Sequence, residues 1–106
     1  MTRPGAPETI VRNENRPGKN GTFDLLIGRE RLGHLNYSLP DTATLTIDYV
    51  EVDRSLRGQG MGQKLVGAAV EWARETSRKV IPHCSYARAV MARTTEYQDV
   101  LVEKGP

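Results

Sequence analysis

The residues best suited to chemistry form one short run, Arg57-Gly58-Gln59-Gly60-Met61-Gly62-Gln63, with glycines at alternate positions. An apolar, strand-like segment ends just before it at Val52, and a helical pattern begins at Met61. Glycines lack a Cβ, so the backbone can turn tightly and come close to a ligand. The first N–H groups of a helix have no internal acceptor, and the helix dipole places partial positive charge there. Together these make an anion site suited to a phosphate or pyrophosphate, with Arg57 as a nearby fixed cation. Two familiar phosphate loops do not match. Gly28 and Gly33 have the Walker A spacing, but His34 and Leu35 stand where Lys and Ser or Thr are needed. The Gly-x-Gly-x-x-Gly/Ala fingerprint also fails, because the sixth residue is Gln63 counted from Gly58 and Leu65 counted from Gly60.

Such a loop needs a strand to deliver it and a helix to leave it. Apolar residues alternate at Phe23, Leu25 and Ile27, again at Leu35, Tyr37 and Leu39, and again at Leu45, Ile47 and Tyr49. With polar turns at 28–31 and Pro40-Asp41, this predicts three strands of an antiparallel meander. Thr9-Ile10-Val11 predicts a short strand before them, and 13–21 a loop in which Pro17-Gly18 and Asn20-Gly21 are both turn dipeptides, the second a hairpin signal between apolar runs. After Tyr49 the apolar positions become Val50 and Val52, a slip of one residue. A β-bulge explains the slip, and so does a strand end buried on both faces.

From Met61 the period becomes helical, with Leu65, Ala69 and Trp72 on one face and Val66, Val70 and Ala73 beside them. Gly67 costs this helix about 1 kcal/mol relative to Ala, which predicts close packing on the sheet. Lys79 to His83 reads as a brief strand ended by Pro82. Ser85 is the expected cap of a second helix from Tyr86 to about Arg93, with Ala87, Val90 and Met91 inward. Tyr97, Val100 and Leu101 predict a last turn or short strand. Residues 44–52 and 79–83 should then lie parallel through a right-handed crossover, with a cleft at their carboxyl ends. The fold class is α+β, a mixed sheet that joins an antiparallel meander to a parallel strand–helix–strand unit.

A chain of 106 residues suits a single domain, with residues 1–8 as a loose arm. This length excludes a TIM barrel or a two-half dinucleotide fold. Lys and Arg number 15 against 13 acids, and these charges are spread along the chain. That is not the one-faced basic stripe of a nucleic-acid binder. Cys84 is the only cysteine, which excludes an internal disulfide and a cysteine-rich zinc site. No apolar run is long enough to span a membrane, and the first residues lack the apolar stretch of a secretory signal, so a cytoplasmic location is expected.

The pattern Arg57-x-x-Gly60-x-Gly62, between a strand and an amphipathic helix, resembles the acetyl-CoA signature Arg/Gln-x-x-Gly-x-Gly/Ala of the GNAT N-acetyltransferase superfamily. The likeness extends to a small-bodied branch of that superfamily. Its members carry a Val-x-Pro-x-Cys element after the signature helix, and the chain has Val80-Ile81-Pro82-His83-Cys84 there. They also tend to end in a Pro-Glu-Tyr-like segment, read here as Thr95-Glu96-Tyr97 with Thr in place of Pro. The resemblance covers roughly residues 22–102. The branch lacks the helical pair that larger members place between their first two strands, and this chain has no segment long enough for it.

The resemblance implies a compact GNAT-like fold with acetyl-CoA in the cleft between the parallel strands. The N–H groups of Gly58, Gln59, Gly60, Met61, Gly62 and Gln63 would surround the pyrophosphate beside Arg57, and the pantetheine amides would pair with Val50 and Val52. It implies transfer of an acetyl group to a primary amine of a small molecule or protein. The alternative is a non-catalytic acyl-CoA-binding module that acts with a partner. Glu51 is the first candidate for the general base and Asp48 the second, because carboxylates on this strand deprotonate the amine in some members. The plain reading of both is an exposed strand residue. His34 and His83 belong to the residue type that takes up protons near neutral pH. Cys84 is either a covalent acetyl relay activated by a helix N-terminus or a small half-apolar residue lining the site. Tyr86 falls where many members place the tyrosine that reprotonates the leaving thiolate, or it packs on the sheet.

Overall fold

Period-two alternation becomes an antiparallel meander of four strands: β1 (Glu8–Arg16), β2 (Asn20–Ile27), β3 (Glu30–Asp41) and β4 (Thr44–Val52). The structure, a computed structural model, describes residues 7–102. A 3₁₀ turn (Arg54–Leu56) leads from β4 into helix α1 (Met61–Glu75). The chain then returns through β5 (Lys79–Pro82), which lies parallel to β4 from Thr44↔Lys79 to Ile47↔Pro82. Helix α2 (Ser85–Ala92) and a second 3₁₀ turn (Thr95–Tyr97) follow. Leu101 then forms a single parallel bridge with Val80. The result is the expected α+β arrangement with a five-stranded mixed sheet in the order β1-β2-β3-β4-β5. Among the described residues, no helix is long and apolar enough to cross a membrane.

The core lies between one face of the sheet and the two helices. Phe23, Leu25, Leu35, Tyr37, Leu45 and Ile47 meet Leu65, Val66, Ala69 and Val70 of α1 and Ala87, Val90 and Met91 of α2. Trp72 anchors this layer, with its ring 5.6 Å from Tyr37 and 6.3 Å from Phe23, under the Arg12 guanidinium at 4.4 Å. The Arg12 guanidinium also donates to the Tyr37 hydroxyl, at 2.8 Å. The alternate strand residues, among them Thr22, Asp24, His34, Asn36 and Ser38, are half-buried on the other face. No described helix packs on that second face.

Four local expectations change. Glu8 is not part of a loose arm: it pairs with Ile27 at the start of β1, and its carboxylate accepts from Lys64 Nζ at 2.7 Å. Residues 1–6 of the expected arm lie outside the described residues. The first strand is nine residues long, because β1 has the whole of β2 to pair with. The hairpin turn falls at Pro17-Gly18, where Gly18 adopts φ +73°, while Asn20 and Gly21 belong to β2. The glycine in the middle of α1 packs away from the sheet. A Cβ on Gly67 would lie 2.9 Å from the Tyr97 hydroxyl, so the C-terminal segment sets its size. Arg74 fastens that segment to α1, donating from Nη2 and Nε to the Asp99 carboxylate at 2.7 and 3.1 Å and from Nη2 to the Glu96 carbonyl. These bonds hold the Asp99 carboxyl below the usual carboxylate range.

Gly21 tests how tightly β1 is bound. A Cβ there would stand 2.2 Å from the Asn13 carbonyl oxygen and 2.7 Å from the Tyr37 hydroxyl. Backbone on a paired strand cannot retreat from it, so Gly21→Ala should cost about 1–3 kcal/mol, the usual range for overpacking. Urea unfolding should show a lower midpoint with an unchanged slope. An unchanged midpoint would mean that β1 yields freely.

Candidate active site

The cleft begins with a mismatch of register. Asn36 pairs with Tyr49 and Tyr37 with Ile47, so Asp48 has no partner on β3 and forms a bulge. The rhythm therefore breaks one residue earlier than the apolar pattern predicts. Tyr49 does not share the inward face of Leu45 and Ile47 but is 49% exposed, while Val50 and Val52 turn toward the core. The Asp48 carboxylate accepts from Ser38 Oγ at 2.8 Å and Thr46 Oγ1 at 3.1 Å.

At the same level β5 leaves β4. The Ile47 carbonyl accepts the N–H of His83 at 2.9 Å and of Cys84 at 3.4 Å, and the ladder ends there. Beyond that point, among the described residues, β4 keeps only β3 as a partner. The Asp53 N–H donates to the Leu32 carbonyl at 2.8 Å. By alternation, the N–H and C=O groups of Val50 and Val52 then point to the edge that β5 has vacated.

The far wall is the glycine loop. The Asp53 carboxylate accepts from the Ser55 N–H at 3.0 Å and the Ser55 hydroxyl at 2.6 Å, which starts the 3₁₀ turn. The same bonds hold the Asp53 carboxyl below its ordinary range. Leu56 is buried and pins the turn to the core. Gly58 at φ +82° and Gly60 at φ +76° adopt the left-handed backbone that favours glycine. Gly60 caps α1 without a side chain, and the first bond back to it is from the Lys64 N–H at 3.1 Å. The N–H groups of Met61, Gly62 and Gln63 therefore have no acceptor within the helix. Arg57 makes no ion pair among the described residues.

These pieces enclose a cleft of about 710 Å³. It is lined by Tyr49, Val50, Glu51, Val52, Leu56, Arg57, Gly58, Gly60, Met61, Gly62, Gln63 and Tyr86. Its size lies within the roughly 300–1,000 Å³ common for small-molecule sites. Of the residues expected to bind a cofactor, only Gln59 is outside the lining. Its N–H donates to the Leu56 carbonyl at 3.3 Å and its side-chain amide to the Ser55 carbonyl at 3.4 Å.

The three candidate catalytic residues separate. The Tyr86 hydroxyl lies over the start of α1, where a Cβ on Gly62 would come within 2.5 Å of it. Burial pushes the Tyr86 phenol up, Arg93 opposes this and Cys84 adds to it, so the hydroxyl keeps its proton through neutral pH. Glu51 is exposed on the face away from the helices, with its carboxylate 3.9 Å from His34 Nε2 on β3. Cys84 does not line the cleft. It takes the capping position expected of Ser85, with its half-buried Sγ accepting the Ala87 N–H at 3.3 Å. The expectation overlooked Tyr49 and Leu56. The off-rhythm strand was the signal for the first, and the second had none beyond being the one apolar residue of a polar loop.

The sequence matches the GCN5-related N-acetyl-transferase family over residues 22–100, and the chain belongs to that family. Among curated proteins, none matches the chain. A GCN5-like protein from Staphylococcus aureus, solved by NMR, is 33% identical with a TM-score of 0.70, over 92% of this chain and 90% of that one. Two more distant structures share the fold. A GNAT family acetyltransferase from Elizabethkingia anophelis with acetyl-CoA bound has a TM-score of 0.65 at 14% identity, over 81% of this chain and 72% of that one. An aminoglycoside acetyltransferase from an uncultured soil metagenome, in complex with sisomicin, has a TM-score of 0.64 at 22% identity, over 87% of this chain and 64% of that one.

The contact between Tyr86 and the first turn of α1 can be measured as a coupling. Gly62→Ala should destabilise the wild type but cost less in a Tyr86→Ala background, where the ring is gone. A double-mutant cycle should give an interaction of about 0.5–3 kcal/mol, the range for residues in contact. Additive effects would mean that the tyrosine does not rest on the helix.

Proposed function

We propose that the protein binds acetyl-CoA in this cleft and transfers its acetyl group directly to a primary amine of a small molecule or protein. The observation that carries this reading is the meeting of two unpaired backbone surfaces across one cleft. One is the free edge of β4 at Val50 and Val52, and the other is the uncapped N-terminus of α1. A pyrophosphate needs N–H donors and positive potential, which Gly58, Gly60, Met61, Gly62 and Gln63 supply together with the Arg57 guanidinium. A pantetheine arm carries amides, and an open strand edge pairs with amides as a further strand would.

When bound, acetyl-CoA supplies an activated acyl group on a thioester. The chain's own residues do the rest. The edge of β4 orients the arm and brings the carbonyl within reach of an attacking amine, which is worth a large part of the barrier. A backbone N–H at Val50 or Val52 is a suitable donor to the oxyanion. Tyr86, protonated at neutral pH, has a proton for the departing thiolate. Glu51 and Asp48 lie on the acceptor side, where carboxylates attract an ammonium group. Direct transfer is favoured over a Cys84 relay because Sγ is engaged as the cap of α2, where it accepts the Ala87 N–H. The sisomicin complex of the metagenomic relative is in keeping with an amine as acceptor.

Calorimetric titration with acetyl-CoA tests the cradle. Gly60→Glu, which puts a carboxylate among the phosphate donors, should weaken binding at least about 100-fold, or some 2.7 kcal/mol. Gly60→Asn tolerates the left-handed backbone without adding charge, and should bind within about tenfold of wild type. Equal affinity of Gly60→Glu and wild type would refute the site. Labelled acetyl-CoA incubated with an amine panel tests the chemistry: transfer should survive Cys84→Ala. Its loss there, with label on Cys84 of the wild type, would establish the relay. Binding without transfer to any amine would mark a CoA-binding module instead.

A further inference from the structure

At the closed end of the split, away from Glu51, stand two groups able to accept a proton. A nucleophile must approach the thioester from the side that the donor leaves open. The glycine loop and both helices lie on one face of the sheet, so the approach is from the other face, which no described helix covers. Two titratable groups stand on that face at the level where β4 and β5 part. One is Asp48, the bulged residue. The other is His83, whose backbone N–H makes the last bond across the two strands. Their side chains face each other across the split, His83 Nδ1 to Asp48 Oδ1 at 3.8 Å. The carboxylate is already held from behind by the Ser38 and Thr46 hydroxyls, which leaves it directed at the imidazole.

The geometry points to His83, oriented by Asp48, as the base that takes the proton from the acceptor ammonium. This rests on the transferase reading given above. Asp48, whose Oδ1 stands 3.8 Å from Nδ1, is then a positioning residue that favours a proton on that nitrogen and leaves Nε2 free. Glu51 is less suited. Its carboxylate turns to His34 on β3, the strand on the far side of β4 from the split. An imidazole is also better matched than a carboxylate to accepting a proton near pH 7. The charged groups set against His83 are Asp48 on β4 and Arg88 on α2, whose guanidinium donates to the His83 carbonyl at 2.7 Å; the Cys84 thiol follows in the chain.

The step balances with acetyl-CoA and a primary ammonium as the only reactants. Nε2 removes one proton from R–NH3⁺, and the freed nitrogen lone pair forms the C–N bond at the thioester carbonyl. The C–S bond breaks with its electron pair on sulfur. The second nitrogen proton ends on that sulfur, relayed through the Tyr86 hydroxyl. The products are the N-acetyl amide, CoA thiol and one proton, which His83 returns to water.

The test combines a spectroscopic and a kinetic readout on the full chain with acetyl-CoA. Imidazole ¹⁵N shifts of the neutral form should show His83 with its proton on Nδ1, and Asp48→Asn should move the tautomer balance toward Nε2. A proton on Nε2, or a balance that Asp48→Asn leaves unmoved, overturns the pairing. For turnover, spermidine and a lysine-containing peptide serve as probes. Wild-type kcat/KM should rise with pH to a plateau, the sign of an enzyme group that must lose its proton to act. His83→Gln should lose about 10²–10⁴-fold at pH 7, the usual contribution of general-base catalysis, and rise log-linearly toward the pKa of the amine. Acetyl-CoA affinity of His83→Gln should equal wild type, which separates loss of the base from failure of the binding site. A plateau kept in His83→Gln but lost in Glu51→Gln overturns the assignment and gives the role to Glu51. If wild type transfers to neither probe, the transferase reading fails with both amines, and the ¹⁵N tautomer still decides the pairing.

Discussion

Everything at the site follows from the separation of two strands that begin as partners. β4 and β5 are hydrogen-bonded only from Thr44↔Lys79 to Ile47↔Pro82, and both sides of the split enforce the parting. On β4, the bulge at Asp48 turns the following residues and sharpens the local twist. On β5, the strand runs into the start of α2, so the N–H groups of His83 and Cys84 converge on one Ile47 carbonyl. Each forgone ladder bond would contribute about 0.5–1.5 kcal/mol. What the chain gains is an edge of unpaired backbone inside a cleft, where a ligand with amides of its own can complete the sheet.

The helical layer keeps that split open and aligned. α1 must cross from the end of β4 to the start of β5, and a right-handed crossover leaves its N-terminus beside the vacated edge. The packing of Trp72 against Phe23, Tyr37 and Arg12 fixes the helix over the meander. At its other end, the Arg74–Asp99 bonds fasten the C-terminal segment to it. Tyr86 touches the first turn of α1 only because Gly62 has no side chain. The positions of the glycine loop, the strand edge and the Tyr86 phenol are thus set by one layer. Among the described residues, no helix covers the opposite face of the sheet.

The glycine loop was legible because its meaning is local. Positive φ at Gly58 and Gly60 and an uncapped helix start depend on a few consecutive residues, and those residues declare it. The meander was legible for the same reason, since alternation reports burial two residues at a time. Boundaries that depend on pairing were not. Pro17-Gly18 and Asn20-Gly21 are both good turn sequences, and only the register of β1 on β2 makes the first the hairpin. The bulge appeared one residue late, because the pattern reveals a slip only after it has happened, whereas Asp48 is identified by what pairs with Tyr37 and Asn36. Cys84 took the cap expected of Ser85 because β5 delivers the chain one residue earlier than propensity alone indicates.

By itself, then, the sequence determined the order of strands and helices, the glycine turn between β4 and α1, and through that turn the resemblance to the family. These rest on interactions within one element or across one loop. Which side chains share the cleft was decided by tertiary structure. Glu51 and His83 are both near β4 in space, yet one turns to β3 and the other to Asp48 across the split. Cys84 and Tyr86 are two residues apart, yet the first is spent on capping α2 and the second reaches α1. Direction of this kind depends on the register of a bulged strand and the crossing of a helix over it, which no local run of residues encodes.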